Sequence, residues 1–493
     1  MPEEKPPLRL LYEPDEYLCT WTVPNDENGV LPLPGSLVLG ASRWAQGEIY
    51  GSVPLKWETA IDGLPGVVAF PQVIELPVLH GTLSNGGSVL LLDARIHYWS
   101  DSRGKIFGRT ALVGQGSGFG WRAPGSKDQV SLNEVPRIVS IDCQIGALDA
   151  AMGVGPIASV RHPGIHPDNV SDEWAATLNG EASLGWEVDG LRLKVGYDGR
   201  MRVADAYEYR LAWSPKATFT LPIGASTDTT MRNYVEPLRA VLSIATGRSQ
   251  PITYLGVRFD GDAKARQVFL PECVQKPYQS TTAGVQDAKC VLRAKPDGIS
   301  LLGLILRWGE LQRNHHPLIE TYGAMLHASD QHPRSRYLLL IQALEGMHGF
   351  ETATEYSRKT EKHQEQHKRV MAAAKDALDP ETIKFLKKSL SKIPPTSLDT
   401  ALKAMLESLP EDMLTRLDQT ELVAEVKKDP KKPDSTLSAL RVARNNLAHG
   451  TRGYDPVILD QTVSLLEQIV RAHALRLLGC SDEILTRVLK ASS

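Results

Sequence analysis

The hydrophobic pattern changes character once along the chain. Up to about residue 225, short β-prone runs alternate with Gly, Pro, Asn and Asp: EYLCTWTVP, GSLVLG, GEIYGSVPL, VVAFPQVIEL, SVLLLDARIHYW, RIVSIDCQIG and LRLKVGY. Many short runs at this spacing predict an antiparallel sandwich or barrel. Tight turns are expected at SNGG (84–87) and YDGR (197–200), where Asn or Asp before Gly tolerates the positive φ angles of a two-residue hairpin. Trp21 and Trp44 read as core or sheet-packing aromatics.

A helical period first appears in TMRNYVEPLRAVLSIATG (230–247), which puts Tyr234, Val235, Leu238, Leu242 and Ala245 on one face and stops at Gly247. Strand-like ITYLGVRF and RQVFLP follow, so 226–298 reads as a mixed connecting module. From residue 299 the pattern stays helical. LLGLILRWGELQ and PLIETYGAMLHA each form a helix, and a longer one begins near Pro333, with Tyr337, Leu340, Ile341, Leu344, Met347 and His348 at helical spacing. Glu351 to Lys432 is highly charged with balanced signs and reads as solvated helices joined by SKIPPTS and KKDPKKPDS.

Asp434 or Ser435 then caps a helix that runs to about His449, with Leu440, Ala443 and Leu447 as its apolar stripe. Asp455 and Pro456 open another helix, which Gly479 closes, and a last short one starts at Ser481. The fold class is therefore α+β: a β-rich, sandwich-like N-terminal region (1–225), the module at 226–298, and an all-α bundle (299–493).

Composition narrows the chemistry. With 493 residues, 42% hydrophobic and 23% charged, the chain has room for two or three globular domains and is not disordered throughout. The net charge of −3 gives no general attraction to polyanions, so nucleic acid would need a local site. Cys19, Cys143, Cys273, Cys290 and Cys480 form no CxxC pair, which fits neither a zinc cluster nor a disulfide framework and suggests a reducing compartment. MPEEKPPLRLL has no apolar leader core, and ISLLGLILRWG is shorter than the ~20 residues needed to span a bilayer; no membrane partner and a cytoplasmic location are expected.

HQEQH (363–367) spaces two histidines by four, but Gln364 stands where a zincin needs its glutamate, so no metal is expected. RNHH (313–316) runs straight into Pro317 and reads as a polar loop. The β-rich half shows no phosphate loop and no paired carboxylates, which leaves a carbohydrate-active reading without support. No cofactor is implied.

The sharpest chemical signal is RNNLAHG, residues 444–450. Arg441, Asn445 and His449 are four apart and share one helical face, opposite Leu440 and Leu447. Arg444 lies about 140° from His449 at 3.6 residues per turn, so its long side chain must come round to join them. Arg, Asn and His without metal ligands suit RNA cleavage. RNA carries its own nucleophile, the 2′-OH, and needs a proton-transfer group and a cation for the phosphorane. His449 would move the proton, Arg444 would hold the phosphate, and Asn445 would orient either one. The same residues at a helix C-terminus also complement the helix dipole, and spacing does not separate the two readings. Arg452 and Tyr454, just beyond, would line the RNA path or anchor the turn.

RNNLAHG resembles the RNxxxH form of the motif of HEPN domains, many of them metal-independent ribonucleases of toxin and anti-phage systems. LLLIQALEGMHG resembles the first HEPN helix, with Glu345 at its recurrent acidic position, able to pair with Arg444. WTVPNDENGVLPLPGSLVLG resembles the start of the N-terminal domain of ApeA-type anti-phage HEPN proteins. The resemblance implies a homodimer whose paired motifs form one RNA cleft, and products with a 2′,3′-cyclic phosphate and a 5′-hydroxyl. It also implies a structured RNA substrate such as a tRNA loop, and a β-rich half that senses a phage-derived protein. The alternatives are a non-catalytic HEPN dimerisation or binding module, and the partner of a nucleotidyltransferase in a toxin–antitoxin pair.

Overall fold

The computed structural model describes residues 5–25, 29–52, 70–100, 102–115, 135–161, 175–205, 208–262, 264–326, 331–394, 397–428 and 434–490. They form two compact units. One comprises Met1–Leu242 and Gln250–Ile305; the other comprises Ser243–Ser249 and Leu306–Ser493. The first is β-rich and the second helical, which gives the α+β class.

The strands of the first unit are β1 (Asp15–Asn25), β2 (Gly29–Leu39), β3 (Ala45–Tyr50), β4 (Gln72–Leu83), β5 (Gly87–Ser100), β6 (Arg103–Gly108), β7 (Thr110–Gln115), β8 (Ile138–Ile145), β9 (Ile157–Arg161), β10 (Ala175–Leu178), β11 (Leu184–Val188), β12 (Leu191–Asp205), β13 (Glu208–Ala225), β14 (Ile252–Phe259) and β15 (Arg266–Phe269). Thirteen of them make one antiparallel sheet, and β9 pairs with β10 separately. The long strand β5 divides it. Along one edge β5 pairs with β4; along the other, its first half pairs with β7 and its second half with β6.

Because β6 also pairs with β3, the ring β5–β4–β1–β2–β3–β6 closes into a six-stranded barrel. Of the two architectures the spacing allowed, this part is the barrel, and β7–β15–β14–β8–β13–β12–β11 continues from it as an open sheet. Closure removes the exposed edges that a flat sheet would leave.

The barrel interior holds Trp21, Leu37, Ile49, Leu79, Ile96, Tyr98 and Ile106, all fully buried. Trp21 fits because glycines face it: a Cβ on Gly35 or Gly81 would lie 2.9 Å from its ring. Its Nε1 donates to the Glu48 carbonyl at 3.1 Å, so burial leaves the indole N–H satisfied. Trp44 departs from the expectation of core packing. It is 56% exposed and lines a surface hollow with Asp93, Arg95, Phe107 and Arg109.

Two further sequence expectations are corrected. SNGG does turn, between β4 and β5, with Gly86 at φ +81° and Asn85 Oδ1 accepting from Gly87 N at 3.1 Å. YDGR does not: it lies inside β12, where Gly199 pairs with Trp213. A Cβ on Gly199 would come 2.3 Å from the Trp213 ring, so this glycine makes room for an aromatic neighbour instead of a turn. The turn into β12 is Asp189-Gly190, both at positive φ. The 226–298 segment is likewise not a separate module. β14 is paired on both edges, by β8 and β15, and is buried along nearly all its length, so it belongs to the sheet. The helical part of that segment is α2 (Thr227–Thr230), a π turn and α3 (Glu236–Thr246); α3 buries Leu238, Leu242 and Ala245 and stops at Gly247, φ +74°. α1 (Leu148–Met152) and α4 (Thr282–Asp287) also lie in this unit.

The remaining helices are α5 (Leu301–Arg313), α6 (Pro317–Leu326), α7 (Pro333–Glu351), α8 (Ala353–Ala377), α9 (Pro380–Ser389), α10 (Leu398–Glu407), α11 (Met413–Asp418), α12 (Glu421–Lys427), α13 (Thr436–His449), α14 (Pro456–Leu477) and α15 (Asp482–Lys490). Helix α7 buries Tyr337, Leu340, Ile341, Leu344 and Met347 as its period predicts, and α14 buries Leu459, Val463, Leu466, Ile469 and Val470. Arg336 of α7 ties the two helices by ion pairs to Glu467 and Asp460. The buried Arg471 of α14 donates to the Ile244 and Ala245 carbonyls, which explains why the end of α3 is grouped with the helices. The charged segment is solvated only in part. Nothing on α9 is buried, but α10, α11 and α12 bury Leu402, Met405, Met413, Leu417, Leu422, Val423 and Val426. No helix among the described residues is long and apolar enough to cross a membrane.

Candidate functional site

The motif helix α13 is built at both ends. Ser435 caps its start, its hydroxyl accepting from Ser438 N at 3.2 Å. Gly450 closes it in the left-handed conformation (φ +68°), with its N–H on the Asn446 carbonyl. Thr436, Ala439, Leu440, Ala443 and Leu447 are buried, which fixes the rotation of the helix and leaves Arg441, Arg444, Asn445 and His449 on accessible positions. Tyr337 of α7 secures this placement from below, its hydroxyl donating to the Leu440 carbonyl at 2.9 Å. Burial raises the Tyr337 phenol far above its ordinary range, so it stays a neutral donor.

The structure brings Arg444, Asn445 and Glu345 together. Arg444 Nη1 donates to Asn445 Oδ1 at 3.3 Å, and Nη2 lies 3.8 Å from Glu345 Oε2 on α7. Arg444 thus meets its chain neighbour Asn445 and, across to α7, Glu345. Arg441 is held elsewhere, by Asp399 of α10 at 2.9 Å, while Ser438 donates to the second oxygen of the same carboxylate at 3.0 Å. His449, in the last turn, is exposed and makes no hydrogen bond or ion pair among the described residues.

Beyond the motif, the two expected RNA-lining residues point to the anchoring role. Tyr454 is only 9% exposed, and its hydroxyl accepts from Asn446 Nδ2 at 2.8 Å. Arg452 stacks on the Tyr454 ring, 5.0 Å from its centroid, and pairs with Glu425 of α12 at 2.6 Å. Asn446 also accepts from the Thr451 hydroxyl at 3.0 Å, so it locks the turn after the helix. Asn446 is the neighbour of Asn445 but does different work.

Four contributors escaped the sequence reading: Asp399, Glu425, Asn446 and Arg334. Arg334, at the start of α7, donates to the Leu447 carbonyl and so places a cation at the C-terminal end of α13, where the helix dipole favours it. No spacing rule links residues as distant as Asp399 and Arg441. Asn446 carried a signal, since Asn near a helix C-terminus commonly serves the turn.

The rejected motifs fall away from this site. His363 contacts the Ser391 carbonyl at 2.9 Å on the exposed side of α8, and no group of three or more His, Cys, Asp or Glu placed to hold a metal ion occurs among the described residues. In RNHH, His315 is exposed, whereas His316 is buried against Phe350 at 4.7 Å between centroids, and burial lowers its pKa. His348 is half-buried, and its carbonyl accepts from Thr352 at 2.7 Å.

The arrangement offers a guanidinium with free donor positions, an amide that orients it, and an accessible imidazole at the end of the same helix. That combination can grip a phosphate by paired hydrogen bonds and exchange a proton beside it. Residues 338–484, from within α7 into α15, match the family model described as Apea-like HEPN. No curated protein and no solved structure matches the chain. The stretch that carries Glu345, Arg444, Asn445 and His449 is therefore similar to an Apea-like HEPN domain.

Proposed function

We propose that the helical unit is a metal-independent endoribonuclease, an effector of anti-phage defence that cuts cellular RNA when infection is sensed. The observation that carries this reading is the last part of α13: an exposed His449, unengaged among the described residues, on the same helix as Arg444, which Asn445 and Glu345 hold in place. A histidine serving only to complement a helix dipole needs no such oriented arginine.

In the reaction, the RNA 2′-oxygen attacks the adjacent phosphorus and the 5′-oxygen leaves. The products are a 2′,3′-cyclic phosphate and a 5′-hydroxyl. Arg444 stabilises the charge that builds on the non-bridging oxygens, and His449 carries the proton between the 2′- and 5′-oxygens. The nucleophile is part of the substrate, so the scheme does not call for a metal-bound water. Two copies facing each other through the HEPN domain would set two motifs on one RNA cleft, with unpaired loops such as those of tRNA as the fitting substrate. In this reading the β-rich unit restrains or licenses the nuclease, and a phage-derived protein is its trigger.

The test is to incubate wild-type and His449→Ala protein with total cellular RNA in EDTA and map new 5′ ends. Discrete cuts by wild type alone support the reading. Cuts that require added divalent metal refute the mechanism. If extract from infected cells also elicits no wild-type cuts, a binding module is the better account.

A further inference from the structure

We propose that the β-rich unit carries a second ligand site, a cleft of about 750 Å³ between residues 5–13 and 275–279 that takes a small organic anion with a flat apolar body. This site is independent of the nuclease motif. Its volume is that of a small-molecule pocket. Leu8, Leu10, Pro277 and Tyr278 supply apolar wall, and Arg9 and Lys276 supply charge.

The walls are fixed in advance. Both segments are irregular, and irregular backbone must find partners for its N–H and C=O groups. Here fully buried side chains of the sheet provide them. Gln267 of β15 accepts from Leu11 N at 2.7 Å and Tyr12 N at 2.9 Å, and donates to the Tyr12 carbonyl at 3.0 Å and to Gln275 Oε1 at 2.9 Å. Gln275 in turn donates to the Val268 carbonyl at 2.6 Å. Ser214 of β13 accepts from Leu8 N at 3.3 Å and donates to the Tyr278 carbonyl at 2.8 Å, so one hydroxyl bridges the two walls. Gln144 of β8 holds Tyr278 N at 2.7 Å and the Tyr278 carbonyl at 3.0 Å. Gln275 also adopts a left-handed backbone (φ +49°) immediately before Lys276, a conformation that costs energy in a residue other than glycine. A ligand entering such a cleft loses little affinity to ordering the protein.

Charge selects the ligand. Lys5 is paired with Glu13 at 2.8 Å across the rim. Arg9 and Lys276 are exposed and have no acidic partner among the described residues, so the cleft presents two uncompensated cations. An apolar wall beneath two cations fits an anionic head group on a planar hydrophobic body. Phosphate, sulfonate and carboxylate heads share that chemistry.

The full-length protein is titrated with 1-naphthyl phosphate, 1-naphthalenesulfonate, 1-naphthoate and neutral 1-naphthol, following naphthyl fluorescence anisotropy. The expected result is saturable binding at one site for at least one anion, roughly tenfold or more tighter than naphthol, a preference that added salt weakens. The relative affinities of the three anions identify the head group. The double variant Arg9→Gln, Lys276→Gln should bring the anion down to the affinity of naphthol, and Arg9→Lys, Lys276→Arg should retain most of the preference. Both positions are exposed, so circular dichroism should be unchanged. Anion affinity equal to that of naphthol in wild type, or undiminished in the Gln variant, overturns the proposal. RNA cleavage plays no part in this readout, so failure here and failure of the nuclease reading are distinguishable.

Discussion

His473 should make the helical unit sensitive to mild acid. It lies on α14 with no exposed surface, and neither ring nitrogen has a hydrogen-bond partner of normal geometry. Burial is the main reason its pKa falls to about 3; the charge of Arg476 adds to the fall, and the Met405 carbonyl partly opposes it. In the unfolded chain the same imidazole titrates near 6.5. The folded pKa is the lower of the two, so above about pH 6.5 neither state is protonated and the site contributes its full stability. As pH falls, the unfolded state takes up a proton that the folded state refuses, and stability declines until the folded group titrates near 3.

The difference of about 3.5 units corresponds to roughly 5 kcal/mol over the whole window, and about 2 kcal/mol is already lost at pH 5. That is a sizeable share of the ~5–15 kcal/mol that holds a typical domain folded. The assay is urea unfolding followed by far-ultraviolet circular dichroism, at about pH 7.5 and pH 5, for wild type and His473→Leu. Other groups titrate in this range, including the buried His316, whose pKa is also lowered. The informative quantity is therefore the double difference, in which their contributions cancel. Wild type should lose about 2 kcal/mol more than the variant between the two pH values. Equal losses would refute the argument that His473 is buried neutral.

Three other outcomes follow from the geometry. Tyr337→Phe removes the hydrogen bond to the Leu440 carbonyl and should cost about 1 kcal/mol, seen as a lower Tm, while lowering RNA cleavage if the placement of α13 matters to it. Asp399→Asn releases Arg441 from a half-exposed ion pair; stability should move by about 1 kcal/mol or less, while RNA affinity at low salt rises with a steeper salt dependence, both measured by filter binding. Gly199→Ala should destabilise the β-rich unit by more than 1 kcal/mol in a thermal melt, ~1–3 kcal/mol being usual for overpacking, because its Cβ would sit 2.3 Å from the Trp213 ring.

Much of the helical unit was legible because each signal was local. The buried positions of α7 and α13, Ser435, Gly450, Asp455 with Pro456, and Gly247 follow rules that operate within a few residues. The pairing of Glu345 with Arg444 came from the family resemblance, since no spacing rule reaches that far. In the β-rich unit, strand positions were readable but their partners were not. β14 reaches β8 across more than a hundred residues, and β5 changes partner midway, which no local pattern announces. Asp-Gly occurs at both 189–190 and 198–199; only the first turns, because Trp213 opposite Gly199 decides the second. Trp44 and Trp21 look alike as letters and differ by the glycines that face Trp21.

The charged segment after α7 shows what a balanced charge count conceals. As composition it reads as solvated surface, and α9 fits that description. Yet two of its carboxylates do specific work: Asp399 on Arg441 and Glu425 on Arg452, while Glu345 from outside the segment faces Arg444. Three arginines on or beside the motif helix are thus each met by a carboxylate from a different helix. Half-exposed pairs of this kind are worth about 1 kcal/mol or less, since water and salt compete with each partner. A phosphate offers an arginine two oxygens at once and releases counterions from the RNA on binding, so it can exchange with such a carboxylate at little cost. On the proposed ribonuclease reading, a chain of net charge −3 would hold its RNA at such a local site, a phosphate taking the place of Glu345 on Arg444.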